Sequence, residues 1–157
     1  MKNLRKVLLA SLVLVFTLVL VGCGKKSYDE YLGYQFSGKD PWGNELAVTI
    51  RTLEEDKLTW TFTDVVGEGE TSLTLYNELT TDFKDDKTTF TVKGSADATY
   101  TYEYTGTLKL ADGKLTIAFE KGALTSNSPE GGSSSHQVEA LEEANRKITL
   151  TKVVDNA

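Results

Sequence analysis

One cysteine, one histidine and many acidic and aromatic side chains are the groups of this chain that could do chemistry. Cys23 is the single thiol in 157 residues, so it has no partner for a disulfide and needs another explanation. His136 also stands alone, in a stretch rich in Ser and Gly. A zinc site or a Ser–His pair would rest on that one residue, and a solvated loop histidine is the simpler reading. The acids Glu54-Glu55-Asp56 and Asp85-Asp86 fall where the chain should turn, and charge runs at turns face water. Calcium at Asp82, Asp85 and Asp86 would lack the ligand spacing and glycine of a calcium loop. Two carboxylates converging in a cleft could hydrolyse a glycosidic bond, but the expected register points no such pair inward.

The aromatic residues form the richer set. Tyr100, Tyr102 and Tyr104 alternate with Thr99, Thr101, Glu103 and Thr105. If the threonine face is wet, the three tyrosines point inward, where each hydroxyl needs a partner. Trp60, Phe62, Phe90 and Phe119 share that interior on the same register. Together these seven residues are the candidate lining of a ligand cavity, with a filled core as the commoner outcome for a small barrel. Trp42, in the turn Asp40-Pro41-Trp42-Gly43-Asn44, is expected to cap a barrel end.

The first 22 residues read separately. Met1-Lys2-Asn3-Leu4-Arg5-Lys6 is cationic, Val7–Val21 is apolar, and a small residue precedes Cys23, the layout of an export signal. Fifteen residues make a helix of about 22 Å, short of the roughly 30 Å of a bilayer core. Leu20-Val21-Gly22-Cys23 resembles the bacterial lipobox. That resemblance implies diacylglycerol on the Cys23 sulfur, with palmitate-type acyl chains, and cleavage after Gly22. It places the protein at the cell membrane, lipid-anchored on the extracytoplasmic face. Two acyl chains at about 0.8 kcal/mol per buried methylene would hold it there almost permanently. Residues 23–27 would be the lipidated tether.

Without Lys2, Arg5 and Lys6 the 17 basic residues fall to 14 against 23 acidic ones, a formal charge of −9. Such a surface repels nucleic acid. Lys25 and Lys26 beside the anchor would each add about 1 kcal/mol of attraction to an anionic leaflet. The remaining 28–157 is one domain, large enough for a core without disulfides, and expected to be a monomer.

These side chains need strands to position them. Twenty threonines follow Cys23, spaced by two beside aliphatic and aromatic residues, which is the period of a strand with one buried face. Leu58-Thr59-Trp60-Thr61-Phe62-Thr63 shows it best. Eight strands are expected, near 31–38, 45–53, 58–64, 71–79, 87–93, 99–110, 115–121 and 147–153. Ala111-Asp112-Gly113-Lys114 is a hairpin signal. Residues 122–136 read as a flexible loop, and Gln137–Asn145 as a short helix, with Val138 and Leu141 three apart. The expected fold is all-β, an antiparallel up-and-down barrel of about eight strands with that helix before the last one. A two-sheet β-sandwich is the alternative.

Gly106-Thr107-Leu108-Lys109-Leu110-Ala111-Asp112-Gly113-Lys114-Leu115-Thr116-Ile117 and the strand spacing resemble lipocalin-like and avidin-like barrels, although the lipocalin Gly-x-Trp opening is replaced by Tyr31-Leu32-Gly33-Tyr34. This resemblance implies a binding module for a small molecule or a peptide, and the aromatic lining suits a small, partly apolar, uncharged ligand. Two other functions fit the residues: a surface module that contacts an envelope protein or inhibits an exported enzyme, and a weak carboxylate hydrolase. No catalytic residue, metal or cofactor is assigned.

Overall fold

The computed structural model describes residues 26–129 and 131–154. The leader 1–22, Cys23 and the first tether residues lie outside the described residues. Eight antiparallel strands form a nearly closed barrel: β1 (Gln35–Lys39), β2 (Glu45–Glu54), β3 (Lys57–Val66), β4 (Leu73–Asp82), β5 (Lys87–Ser95), β6 (Tyr100–Ala111), β7 (Lys114–Ser126) and β9 (Lys147–Lys152), with a two-residue strand β8 (Ser134–Ser135) beside β7. The hydrogen-bonded order is β4-β3-β2-β1-β9-β7-β6-β5. Neighbours in sequence pair as hairpins, and β9 enters between β1 and β7 to join the two halves. β4 and β5 are the two ends of that order. No helix among the described residues is long and apolar enough to cross a membrane.

Threonine alternation works as elementary sterics requires. On β3 the row Leu58, Trp60, Phe62, Asp64, Val66 is buried, and on β6 Tyr102, Tyr104, Gly106, Leu108 and Leu110 are buried. With those of β2 and β7 these rows form one core. Gly106 is where two layers come closest. A Cβ there would lie 2.3 Å from the Ala118 carbonyl oxygen and 2.8 Å from Phe90 Cζ, so only hydrogen fits beside the bulge at Thr105/Gly106.

Three expectations are corrected. Gln137–Asn145 is not a helix but two 3-10 turns, Val138–Ala140 and Glu143–Arg146. Leu141 and Glu142 between them are extended, because one buried anchor, Val138, is too little to nucleate a helix. Arg146 instead ties the segment by donating to the carbonyls of Leu141 and Glu139. The first strand starts at Gln35, since Tyr31–Tyr34 form a turn with Gly33 at φ 80°. Residues 122–136 include the end of β7 and its partner β8, Leu124 and Thr125 pairing with Ser135 and Ser134.

The two barrel ends are closed differently. At the end bearing the turns after β2, β4 and β6, the N-terminal segment crosses the opening. Tyr31 is 2 % exposed, stacks on Phe36 at 5.8 Å and accepts a 2.8 Å hydrogen bond from Gly113 N through its hydroxyl. Tyr28 meets Phe83 edge-on at 5.1 Å and donates to Asp86, which also binds Lys26. The opposite end carries the turns after β1, β3 and β5.

Candidate functional site

At that opposite end five side chains from four places in the sequence converge: Asp40 and Trp42, Asp64, Tyr104, and His136. The β1–β2 turn is organised by Asp40. Its carboxylate accepts from Trp42 N at 2.9 Å, Asn44 N at 2.7 Å and Asn44 Nδ2 at 2.9 Å. The turn chemistry of Asp before Pro and Gly explains this local shape, and the outcome is to lay Trp42 over the barrel mouth. Trp42 contacts Tyr104 at 5.9 Å, Phe119 at 6.4 Å and, edge-on, His136 at 5.1 Å. His136 follows β8 at φ 52°, a region that non-glycine residues seldom enter. Trp42 and His136 are half-buried.

Beneath this pair lies Asp64, 2 % exposed, beside Asp40, 4 % exposed. Register brings them together: Asp64 pairs with Leu46 at the start of β2, just after the Asp40 turn. The expectation that no two acids point inward is therefore corrected. The inward row of β3 runs one step beyond Phe62, and its next member is a carboxylic acid. Burial, the negative charge of Asp40 and a hydrogen bond to Asp40 push the Asp64 pKa up to about 8. At neutral pH Asp64 keeps its proton and the two carboxyls share it. Asp64 Oδ1 has no hydrogen-bond partner among the described residues. Burial, then Asp64 and Asp40, raise the Tyr104 phenol. Burial lowers the His136 pKa against the opposing pull of Asp40, which favours a neutral imidazole at pH 7. A proton-sharing acid pair below aromatic faces can donate, accept and hold charge. Among the described residues no group of three or more His, Cys, Asp or Glu side chains converges on a metal-sized point.

The seven aromatic candidates fall into three places. Tyr104 and Phe119, 5.9 Å apart, floor the site under Trp42. Trp60, Phe62 and Phe90 fill the barrel's middle, Phe90 meeting Trp60 at 5.5 Å and Phe119 at 6.2 Å, both edge-on. Trp60 Nε1 donates to Thr81 Oγ1 at 3.0 Å. A ligand in the middle would have to displace these ring contacts. Tyr102 instead reaches the seam between β4 and β5, its hydroxyl 3.0 Å from the Tyr76 carbonyl oxygen and 2.9 Å from Asn77 Oδ1, while Asn77 Nδ2 donates to the Lys93 carbonyl at 3.0 Å. Tyr100 is half-buried against the core edge. Cys23 lies outside the described residues.

Open depressions mark the described surface, among them one of about 520 Å³ beside the N-terminal segment, lined by Lys26, Tyr28, Leu32 and Leu53, and one of about 400 Å³ beside Phe119 and Arg146. Another, of about 700 Å³, lies over the outer face of β6 and β7 and is lined mainly by threonines, Glu103, Lys121 and Glu139. A smaller one of about 360 Å³ lies at the seam, over Leu79 and Phe90. Comparison with known protein families, with curated proteins and with solved structures finds no match.

Proposed function

We propose that the chain is a membrane-anchored, extracytoplasmic binding module of lipocalin-like type, which takes a small ligand at the barrel end remote from its lipid. The anchor is the Cys23 sulfur, with residues 1–22 as the lipoprotein signal, supported by the lipobox-like Leu20–Cys23. Cys23 precedes Lys26 by three residues, a reach of about 10 Å. The end that Tyr28 and Tyr31 close is thus the membrane side. The carrying observation is what each cover overlies: hydrogen bonds hold a segment across both mouths, but only the half-buried Trp42–His136 pair lies over a buried acid pair and two aromatic rings.

Cys23→Ala tests the anchor: incorporation of labelled fatty acid should vanish, and surviving label would overturn it. Native mass spectrometry of gently purified protein tests the ligand. A bound small molecule is expected, and Trp42→Ala should lose it. The packed rings in the barrel's middle favour a second reading, an interaction module for an envelope protein. Bare protein in the mass spectrum would favour that module.

A further inference from the structure

The Asp64 carboxyl bonds to Asp40 and to the Val65 backbone, yet its buried Oδ1 has no hydrogen-bond partner among the described residues. Folded proteins leave few such atoms unmatched, and each asks what would match it. Around it stand Asp40 from the β1–β2 turn, Tyr104 from β6, and His136 from the segment after β8. The charges acting on Asp64, Tyr104 and His136 are those of Asp40 and Asp64. The site therefore holds negative charge and an idle acceptor beneath ring faces, the surroundings that suit an organic cation. Trp42 covers it through ring contacts to Tyr104, Phe119 and His136, which an entering ligand would exchange for its own.

We propose that this end of the barrel binds an alkylammonium group, whose N–H donates to Asp64 Oδ1 while Trp42 and Tyr104 pack on its carbon chain. The inference rests on the reading of this end as the binding end, and replaces the uncharged ligand expected from the sequence with a cation, because the acid pair at this end is negative. On binding, R–NH3+ enters intact, the proton shared by Asp64 and Asp40 leaves to solvent, and the pair takes a second negative charge. No bond of the ligand breaks. The balance makes binding release one proton, so affinity should climb toward tenfold per pH unit below the Asp64 pKa of about 8 and level off above it.

The test is an intrinsic-fluorescence titration of the full chain in detergent with n-hexylamine, against n-hexanol and hexyltrimethylammonium. Hexylamine should saturate the signal, with both comparators at least about tenfold weaker. Hexanol lacks the charge and the trimethyl compound lacks the N–H. Asp64→Asn should weaken hexylamine by a similar factor and abolish the pH slope, its near-ultraviolet circular dichroism certifying the fold. Trp42→Phe, which keeps the ring cover, should remove the signal while calorimetry still detects binding. Equal binding of hexylamine and hexanol would overturn the ammonium assignment while leaving the binding end intact. A flat pH profile would overturn the proton exchange and, with it, the proposal. No response to any probe also overturns it, and the copurified ligand in Trp42-dependent mass spectra then decides the wider reading separately.

Discussion

A carboxyl group buried beside another acid holds its proton, and Asp64 does so up to about pH 8. The consequence for stability has a definite sign. In the unfolded chain the group ionises near 3.8, so folding takes up a proton between that value and about 8. Its favourable contribution is complete below 3.8 and is lost as pH rises through 8. Asp64→Asn should therefore flatten the high-pH side of the stability curve. Relative to the variant, the natural protein is expected to lose on the order of 4 to 6 kcal/mol between pH 4 and pH 9, read by urea unfolding at both. The acid was legible in the sequence, since the alternation Leu58, Trp60, Phe62 leads to residue 64. What hid it is chemical: a carboxylate next to a loop looks solvated, and only the pairing of β3 with β2 reveals Asp40 above it. His136 was hidden for another reason, because its neighbour Trp42 is 94 positions away in sequence.

The strands carry a different sensitivity. At Gly106 the sheet and the Phe90 ring approach so closely that a methyl group meets the Ala118 carbonyl at 2.3 Å. Gly106→Ala should cost roughly 3 kcal/mol, the upper range for overpacking, as a fall in thermal midpoint. The seam between β4 and β5 has side chains where other neighbours have a main-chain ladder. Tyr102→Phe removes the hydroxyl that meets Asn77 and the Tyr76 carbonyl. It should cost about 1 to 2 kcal/mol and speed amide exchange along β4 and β5 more than along β2 and β3. All eight long strands could be read from period-two spacing and turn residues. The 3-10 segment 138–146 could not, because its apolar spacing suits a helix while its tertiary anchor is a single valine. Nor could the seam be read, since which strands stay unpaired depends on how the ends of the sheet meet.

Across the molecule the two barrel ends are closed by unrelated contacts. The Tyr31 hydroxyl holds Gly113 N at one end, and Asp40 holds the Trp42 turn at the other. Tyr31→Phe is expected to cost about 1 kcal/mol through the lost hydrogen bond. Combined with Asp64→Asn at pH 9, the two effects should add within about 0.5 kcal/mol, as remote sites do. A larger coupling in the double-mutant cycle would show that the core transmits strain from end to end. The Tyr28 phenol, pushed up to about 12 by burial and then by its bond to Asp86, should stay protonated throughout such a series.

The pairing of β9 with both β1 and β7 governs the order of events during biosynthesis. Until residues 147–152 have been synthesised, β1 keeps a bare edge and the hairpins on either side cannot be joined. A nascent chain halted before Lys147 would carry two half-sheets with their greasy faces uncovered. Such a fragment should clump, whereas six more residues let the cylinder shut.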